Sequence, residues 1–354
     1  MKILNIPNFY YPNIGGIEQT ARDMTRAFLA RGVTEQKVLC VNRTEKETRH
    51  EFIDGIEVVR CGYTAKIRSQ VMSKDFPQEL RKLMDEFAPD VVVLHYPNPF
   101  TLSMLMKFAS RPFRLILYWH SDIVKQKLLG KLFFGLEDRA ARRADLIIAT
   151  SPNYIEGSRV LSAHRDKCRV VPSCIDEERF VVTPEIAERA EIIRKEHAGK
   201  TLCFAFGRHV PYKGFEYLEK AEKYLPPDID VMIGDRLSQE DLIAYLSACD
   251  IFCFPSITKN EAFGLGLAEG MLFGHPAVTF TIPGSGVNYV SLHGVTGLEC
   301  PNRDAKAYAD ALIRLSKDPV LRSSFGKNAR QRVLDNFTYP GYARTIFETI
   351  TEGN

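Results

Sequence analysis

Short apolar runs rich in β-branched residues alternate along this chain with stretches of helical spacing. The runs KILNI, KVLCVN, VVVLHY, RLILYWH and LIIAT predict buried strands. Between them lie segments such as IEQTARDMTRAFLARG, residues 17–32, whose apolar positions keep helical spacing and which closes on Gly32 as a C′ residue. That alternation predicts an α/β fold with a parallel sheet covered by helices on both faces. The strand CRVVP then leads into the polar stretch SCIDEERF, a crossover near residues 172–180. A second α/β series follows in TLCFAFG, DVMIGD, DIFCFPS and PAVTF. The pattern predicts two Rossmann-like domains, 1–174 and 175–336, with 337–354 as a closing helix that packs back on the first.

Length agrees with that division, since 354 residues exceed one comfortable core. Apolar and charged contents of 45% and 26% are those of a globular protein. A net charge of +3 is too small to point to nucleic acid. Eight cysteines with no histidine at ligand spacing beside Cys249 and Cys253 read as reduced, buried thiols, not as a disulfide framework or a zinc site. The start, MKILNIPNFYYP, lacks a signal-peptide core, and no eighteen apolar residues run together. A cytoplasmic protein is expected.

In such sheets ligands bind beyond the carboxyl ends of the strands, so the polar residues just after each strand carry the chemistry. After the first strand, Gly15 and Gly16 open a helix, either to let backbone approach an anionic ligand or simply to form a turn. A dinucleotide fingerprint is absent, because this long loop holds no G-x-G-x-x-G. His120 follows RLILYW, where a catalytic and a merely satisfied histidine are both open readings. Arg208 and Lys213 flank a proline turn after TLCFAFG, a pair able to clasp a diphosphate or simply to be solvated. Finally EAFGLGLAE holds Glu261 and Glu269 at its two ends. Thr258-Lys-Asn-Glu261 fits a capping box, which is the plain structural reading. Asp228-Ile-Asp230 reads as a loop before a strand and not as a metal motif.

Taken in order, GGIEQTARDMTRAFLARG, TSPNY, VVPSCIDEERF, FGRHVPYKG and FPSITKNEAFGLGLAEGMLFGHPAV resemble the retaining, nucleotide-sugar-dependent glycosyltransferases of GT-B fold, of group 1 or family 4 type. The resemblance spans nearly the whole chain and implies two Rossmann-like domains facing across a cleft. It also implies a glutamate-x7-glutamate signature. Glu261 would hold hydroxyls of the transferred sugar and Glu269 the ribose diol, about 12 Å along a helix at roughly 1.5 Å per residue. The N–H groups of Phe263, Gly264 and Leu265 would face the diphosphate, with Arg208 and Lys213 stabilising the leaving group and His120 contacting the donor sugar. Gly15 and Gly16 would join the donor site. No metal or cofactor is implied; the nucleotide sugar, GDP-mannose or otherwise a UDP-sugar, is a substrate. The acceptor would be a glycan or lipid-linked sugar in surface polysaccharide synthesis.

Rival readings are a GT-B phosphorylase or an epimerase, and a catalytically weak nucleotide-sugar-binding protein of the same fold. The sequence departs from the family at Ser173-Cys174, where asparagine-glycine is usual, and at His209 and Tyr212 beside the cations. PPDIDVMIGD runs directly into RLSQEDLIAYLSACDIFCFPS and leaves room for only one strand, so the second domain is expected to lack one βα unit, with IGDRL as the loop beside the base. The segment 124–145 places Lys125, Lys127, Lys131, Arg139, Arg142 and Arg143 around Leu and Phe. It reads either as a helix visiting an anionic membrane on its inner face or as one packed on the sheet.

Overall fold

The computed structural model of the chain describes all residues except 14, 68–69, 124–128 and 353–354. Two compact units divide it. One comprises Met1–Thr150, Ser158–Val171 and Tyr342–Asn354, the other Ser151–Gly157 and Pro172–Gly341.

The first unit is built on β1 (Ile3–Ile6), β2 (Gln36–Val41), β3 (Arg49–Ile53), β4 (Ile56–Cys61), β5 (Ala65–Ile67), β6 (Gln70–Met72), β7 (Val91–Tyr96), β8 (Arg114–Trp119), β9 (Leu146–Ala149) and β10 (Cys168–Val170). Eight of these form one sheet in the order β10-β9-β8-β7-β1-β2-β4-β3, while β5 and β6 pair separately. All neighbours in the large sheet are parallel except β3, which runs antiparallel to β4. Val91–Leu94 and Leu115–Trp119 are almost wholly buried, as strands covered on both faces must be. The hairpin β3–β4 is absent from the sequence reading. It turns on Asp54-Gly55, both at positive φ (51° and 81°), and Asp54 also pairs with Arg22 at 2.9 Å. Helix Tyr339–Thr351 carries its later residues onto this unit: Phe347 packs on Phe28 at 5.2 Å and Arg114 Nη2 donates to the Glu352 carbonyl.

The second unit holds β11 (Thr201–Phe206), β12 (Ile229–Gly234), β13 (Ile251–Phe254), β14 (Ala277–Phe280) and β15 (Gly297–Cys300). Its sheet is wholly parallel in the order β12-β11-β13-β14-β15. Phe204, Phe252 and Phe280 fill its core beneath the helices. One strand, β12, stands between Lys223 and Asp241, as expected from the short sequence there. The Asp228–Asp230 reading needs correction. Strand β12 already begins at Ile229, so Asp230 is a strand residue whose carboxylate takes His197 Nδ1 at 2.8 Å and Lys200 Nζ at 2.9 Å.

The basic segment falls partly outside the described residues, since Lys125 and Lys127 are not among them. Helix Leu129–Arg143 follows. Arg142 there pairs with Asp138, and Arg143 donates to the carbonyls of Ala109, Arg111 and Phe113. Arg143 thereby ties the helix to the segment before β8. No helix among the described residues is long and apolar enough to cross a membrane.

Candidate active site

In the second unit the chain leaves β11 for β12 on one side and then crosses to β13 on the other. The switch point therefore lies between β11 and β13, where ligands of open α/β sheets bind. The loop after β11 carries Arg208 and Lys213; the loop after β13 carries Glu261. Although 48 residues apart in sequence, Lys213 Nζ and Glu261 Oε2 meet at 2.5 Å, with side-chain exposures of 15% and 13%. The ammonium also lies 4.9 Å from the centre of the Phe254 ring and 5.7 Å from that of Tyr212. Two serines that the sequence reading passed over complete the setting. Ser256 donates to Glu261 Oε2 at 3.3 Å, and Ser285 donates to the Glu261 carbonyl. Ser256 directly follows FP at a strand end, a signal that was available.

Arg208 is exposed and makes no ion pair among the described residues. His209 packs its ring against Phe215 at 5.1 Å. The cation loop is tied to the other loop by Ile257 N–H donating to the Tyr212 carbonyl at 2.9 Å.

The helix expected from Phe263 begins at Leu265 and runs to Leu272. Its N-cap is Gly264 at φ +97°, a left-handed conformation that side-chain-bearing residues rarely adopt. The capping-box reading of Thr258–Glu261 is thereby corrected: Glu261 lies before the helix, and its N–H donates to the Thr258 carbonyl at 3.1 Å. The ring of Phe263 is buried edge-on against Phe337 at 5.3 Å. The backbone N–H groups of Phe263, Gly264 and Leu265 have no acceptor among the described residues, so they stand as open donors at a helix start.

Glu269 lies in this helix, partly buried. Burial pushes its carboxyl up to about 7, against the opposing pull of Arg179 and Lys213. Arg179 is a further cation that sequence reasoning left out.

In the first unit, Gly16 opens helix Gly16–Leu29 with Gly15 as an uncapped, extended N-cap. A methyl at Gly15 would meet Glu18 Oε2 at 2.2 Å, so the Glu18 carboxylate folds over this helix start, and Arg43 Nη2 pairs with it at 3.2 Å. An anion entering here meets that carboxylate first. His120 stands at the end of β8. Its N–H donates to the Tyr96 carbonyl at 2.8 Å and its Nε2 lies 2.8 Å from Nδ1 of the buried His95, another residue missed from sequence. Burial drives both imidazoles towards the neutral form, His120 down to about 3. On the other face of the same strands Tyr96 donates to Glu137, and Trp119 Nε1 and the Ser158 hydroxyl both donate to Asp122, at 3.0 and 2.7 Å.

Residues 14–179 match Glycosyltransferase Family 4, and residues 214–332 match Glycosyl transferases group 1. The chain belongs to the group 1 glycosyltransferases. This glycosyltransferase is 27% identical to O-antigen chain mannosyltransferase C of Escherichia coli, over 96% of its own length and 95% of the relative's. It is 29% identical to the D-rhamnosyltransferase WbpZ of Pseudomonas aeruginosa, over 96% and 92%. Sucrose-phosphate synthase from Thermosynechococcus elongatus superposes with a TM-score of 0.79, covering 99% and 98% of the chains at 18% identity. The two Rossmann-like units are those of the GT-B fold.

Proposed function

We propose that this glycosyltransferase moves a sugar, with retention at the anomeric carbon, from GDP-mannose to a glycan or lipid-linked acceptor of a surface polysaccharide. The observation that carries the reading is the meeting of Lys213 and Glu261 at the β11/β13 switch point; Arg208 shares the loop of Lys213 and makes no ion pair among the described residues, and three open N–H donors follow Glu261 in the chain. The relative named as an O-antigen chain mannosyltransferase favours both the acceptor class and mannose.

As the sugar–phosphate bond breaks, its electron pair passes to the phosphate oxygen. Arg208, Lys213 and the N–H groups of Phe263, Gly264 and Leu265 stabilise that charge in place, which is where such sites gain most of their rate. The acceptor hydroxyl bonds to the sugar carbon on the face the phosphate leaves and gives its proton to the leaving oxygen. Glu261 accepts from sugar hydroxyls and Glu269 from the ribose diol. His120 contacts the sugar near the reacting carbon, and Gly15 and Gly16 line the approach to the donor once the Glu18 carboxylate, paired with Arg43, turns aside. Lys213 offsets the Glu261 carboxylate, which would otherwise repel an incoming diphosphate. With these cations in place the reaction needs no divalent metal.

The test is a thermal-shift screen with GDP, UDP and ADP, followed by GDP-mannose turnover in excess EDTA. GDP is expected to raise the melting temperature most by mass action, and turnover to survive the chelator. Absence of any nucleotide shift would sink the donor site. Turnover lost to EDTA and restored by magnesium or manganese would sink the metal-free mechanism.

A further inference from the structure

His95 lies in the fifth position of β7, directly across from Tyr118 in β8. It is 1% exposed, and a histidine in the middle of a buried strand has to justify its two polar nitrogens. Among the described residues Nε2 is buried with no hydrogen-bond partner, and the one polar contact of the side chain is Nδ1 with His120 Nε2 at 2.8 Å. The two ring centroids lie 5.1 Å apart and the ring planes differ by 9°. With a ring nitrogen roughly 1.1 Å from its centroid, that separation is reached only when both nitrogens lie on the line between the centroids. The contact is therefore an in-plane, nearly linear hydrogen bond. Tyr118 packs against both rings, at 5.2 Å from His95 and 4.6 Å from His120, and restrains them in this plane.

Two neutral imidazoles share one proton along such a line. If His120 Nε2 donated it, His95 would carry its own proton on Nε2, a buried N–H with no acceptor. Buried N–H groups without an acceptor are rare and costly. If His95 Nδ1 donates, its Nε2 is left as a bare lone pair, and His120 must hold its proton on Nδ1. His120 Nδ1 has no partner among the described residues, and this residue keeps 8% exposure. It is the nitrogen open to a ligand.

We infer that His95 is a positioning residue, which donates Nδ1–H to His120 Nε2 and so fixes His120 as a neutral Nδ1–H donor to an oxygen of the transferred sugar. The inference rests on the assignment of His120 to the sugar made above. It explains why His120 acts as a donor and not as a general base: its only free nitrogen carries a proton.

The test is nitrogen-15 NMR of the full chain labelled at histidine, combined with turnover of GDP-mannose. In the wild type, His120 Nε2 should resonate as a bare nitrogen and Nδ1 as a protonated one between pH 6 and 8. His95→Asn keeps an N–H donor near the position of Nδ1, and should keep the tautomer and most of the turnover. His95→Phe should lose the single tautomer and cut kcat by about tenfold or more, as removal of supporting partners does elsewhere. GDP, which lacks the sugar, should bind all variants with unchanged affinity. A wild-type His120 protonated on Nε2 would overturn the inference, as would His95→Phe with wild-type tautomer and turnover. If His95→Phe does not fold, the wild-type spectrum and the Asn variant still decide. His120→Ala separates the two levels: full turnover there removes His120 from the sugar site, whereas loss there with an indifferent His95 removes only the inference about His95.

Discussion

Lys213 and Arg208 have similar charge but different surroundings, and their substitution should separate catalysis from stability. Each is expected to cost roughly a hundredfold or more in turnover when replaced by alanine, because each removes a stabiliser of the leaving phosphate. Arg208 is exposed and makes no ion pair among the described residues, so Arg208→Ala should leave the melting temperature where it was. Lys213→Ala strips the partner from the largely buried Glu261 and leaves Ser256 alone to serve that carboxylate. A loss of about 1–3 kcal/mol is expected, readable by denaturant titration. Wild-type turnover in both variants would show that the diphosphate lies elsewhere. Glu269 offers a second separation. Its carboxyl is raised to about 7 in the folded chain, above the ordinary value of 4.5, so the folded state binds the extra proton and stability falls as pH rises from the lower value to the higher. Glu269→Gln cannot ionise. Its melting temperature relative to wild type should therefore be higher at pH 8 than at pH 5, while its affinity for GDP falls at both. An unchanged difference between the two pH values would mean that Glu269 titrates normally.

Helix Leu265–Leu272 shows how a single backbone angle aims a group of donors. Gly264→Ala must hold alanine at φ +97°, with Leu267 Cβ at 3.4 Å and the Phe254 ring at 3.5 Å from the new methyl. The variant should lose about 1–2 kcal/mol of stability and, if it relaxes by turning Gly264 into the helix, should re-aim the N–H groups and weaken GDP binding. Calorimetric affinity equal to wild type would show that those donors do not face the phosphate. This element also marks the limit of what the sequence displays. The strands VVVLHY and LIIAT are legible because an apolar run between polar loops has one economical use, a strand buried on both faces. The start of this helix is not, because Thr258–Glu261 fits a capping box just before it, and the left-handed Gly264 leaves no mark on that pattern. The β3–β4 hairpin could have been found, since FIDGIEV holds the Asp-Gly pair that favours such a turn. The role of His95 could not. It depends on which strand lies beside β7 and in what register, and the pairing of His95 with Tyr118 is a cross-strand fact.

At the scale of the whole chain, five motifs in one order made the fold and the family legible, while the partners within the site came from long-range packing: Lys213 meets Glu261 only because β11 and β13 are adjacent. The same sheet order bears on selectivity. Strand β12 is an edge strand, and the chain passes from it to helix Gln239–Ala248 through only Asp235–Ser238. Within that link Arg236 adopts φ 52° and its side chain is 89% exposed. With a single strand between Lys223 and Asp241, the link beyond β12 supplies few backbone groups to grip a base. Base selectivity is therefore expected to be loose, with GDP bound more tightly than UDP or ADP by less than about a thousandfold, a margin of roughly 4 kcal/mol. Calorimetric titration of the three diphosphates against the full chain checks this directly. A preference for one base of a thousandfold or more would mean that the base is held by groups other than the short link after β12.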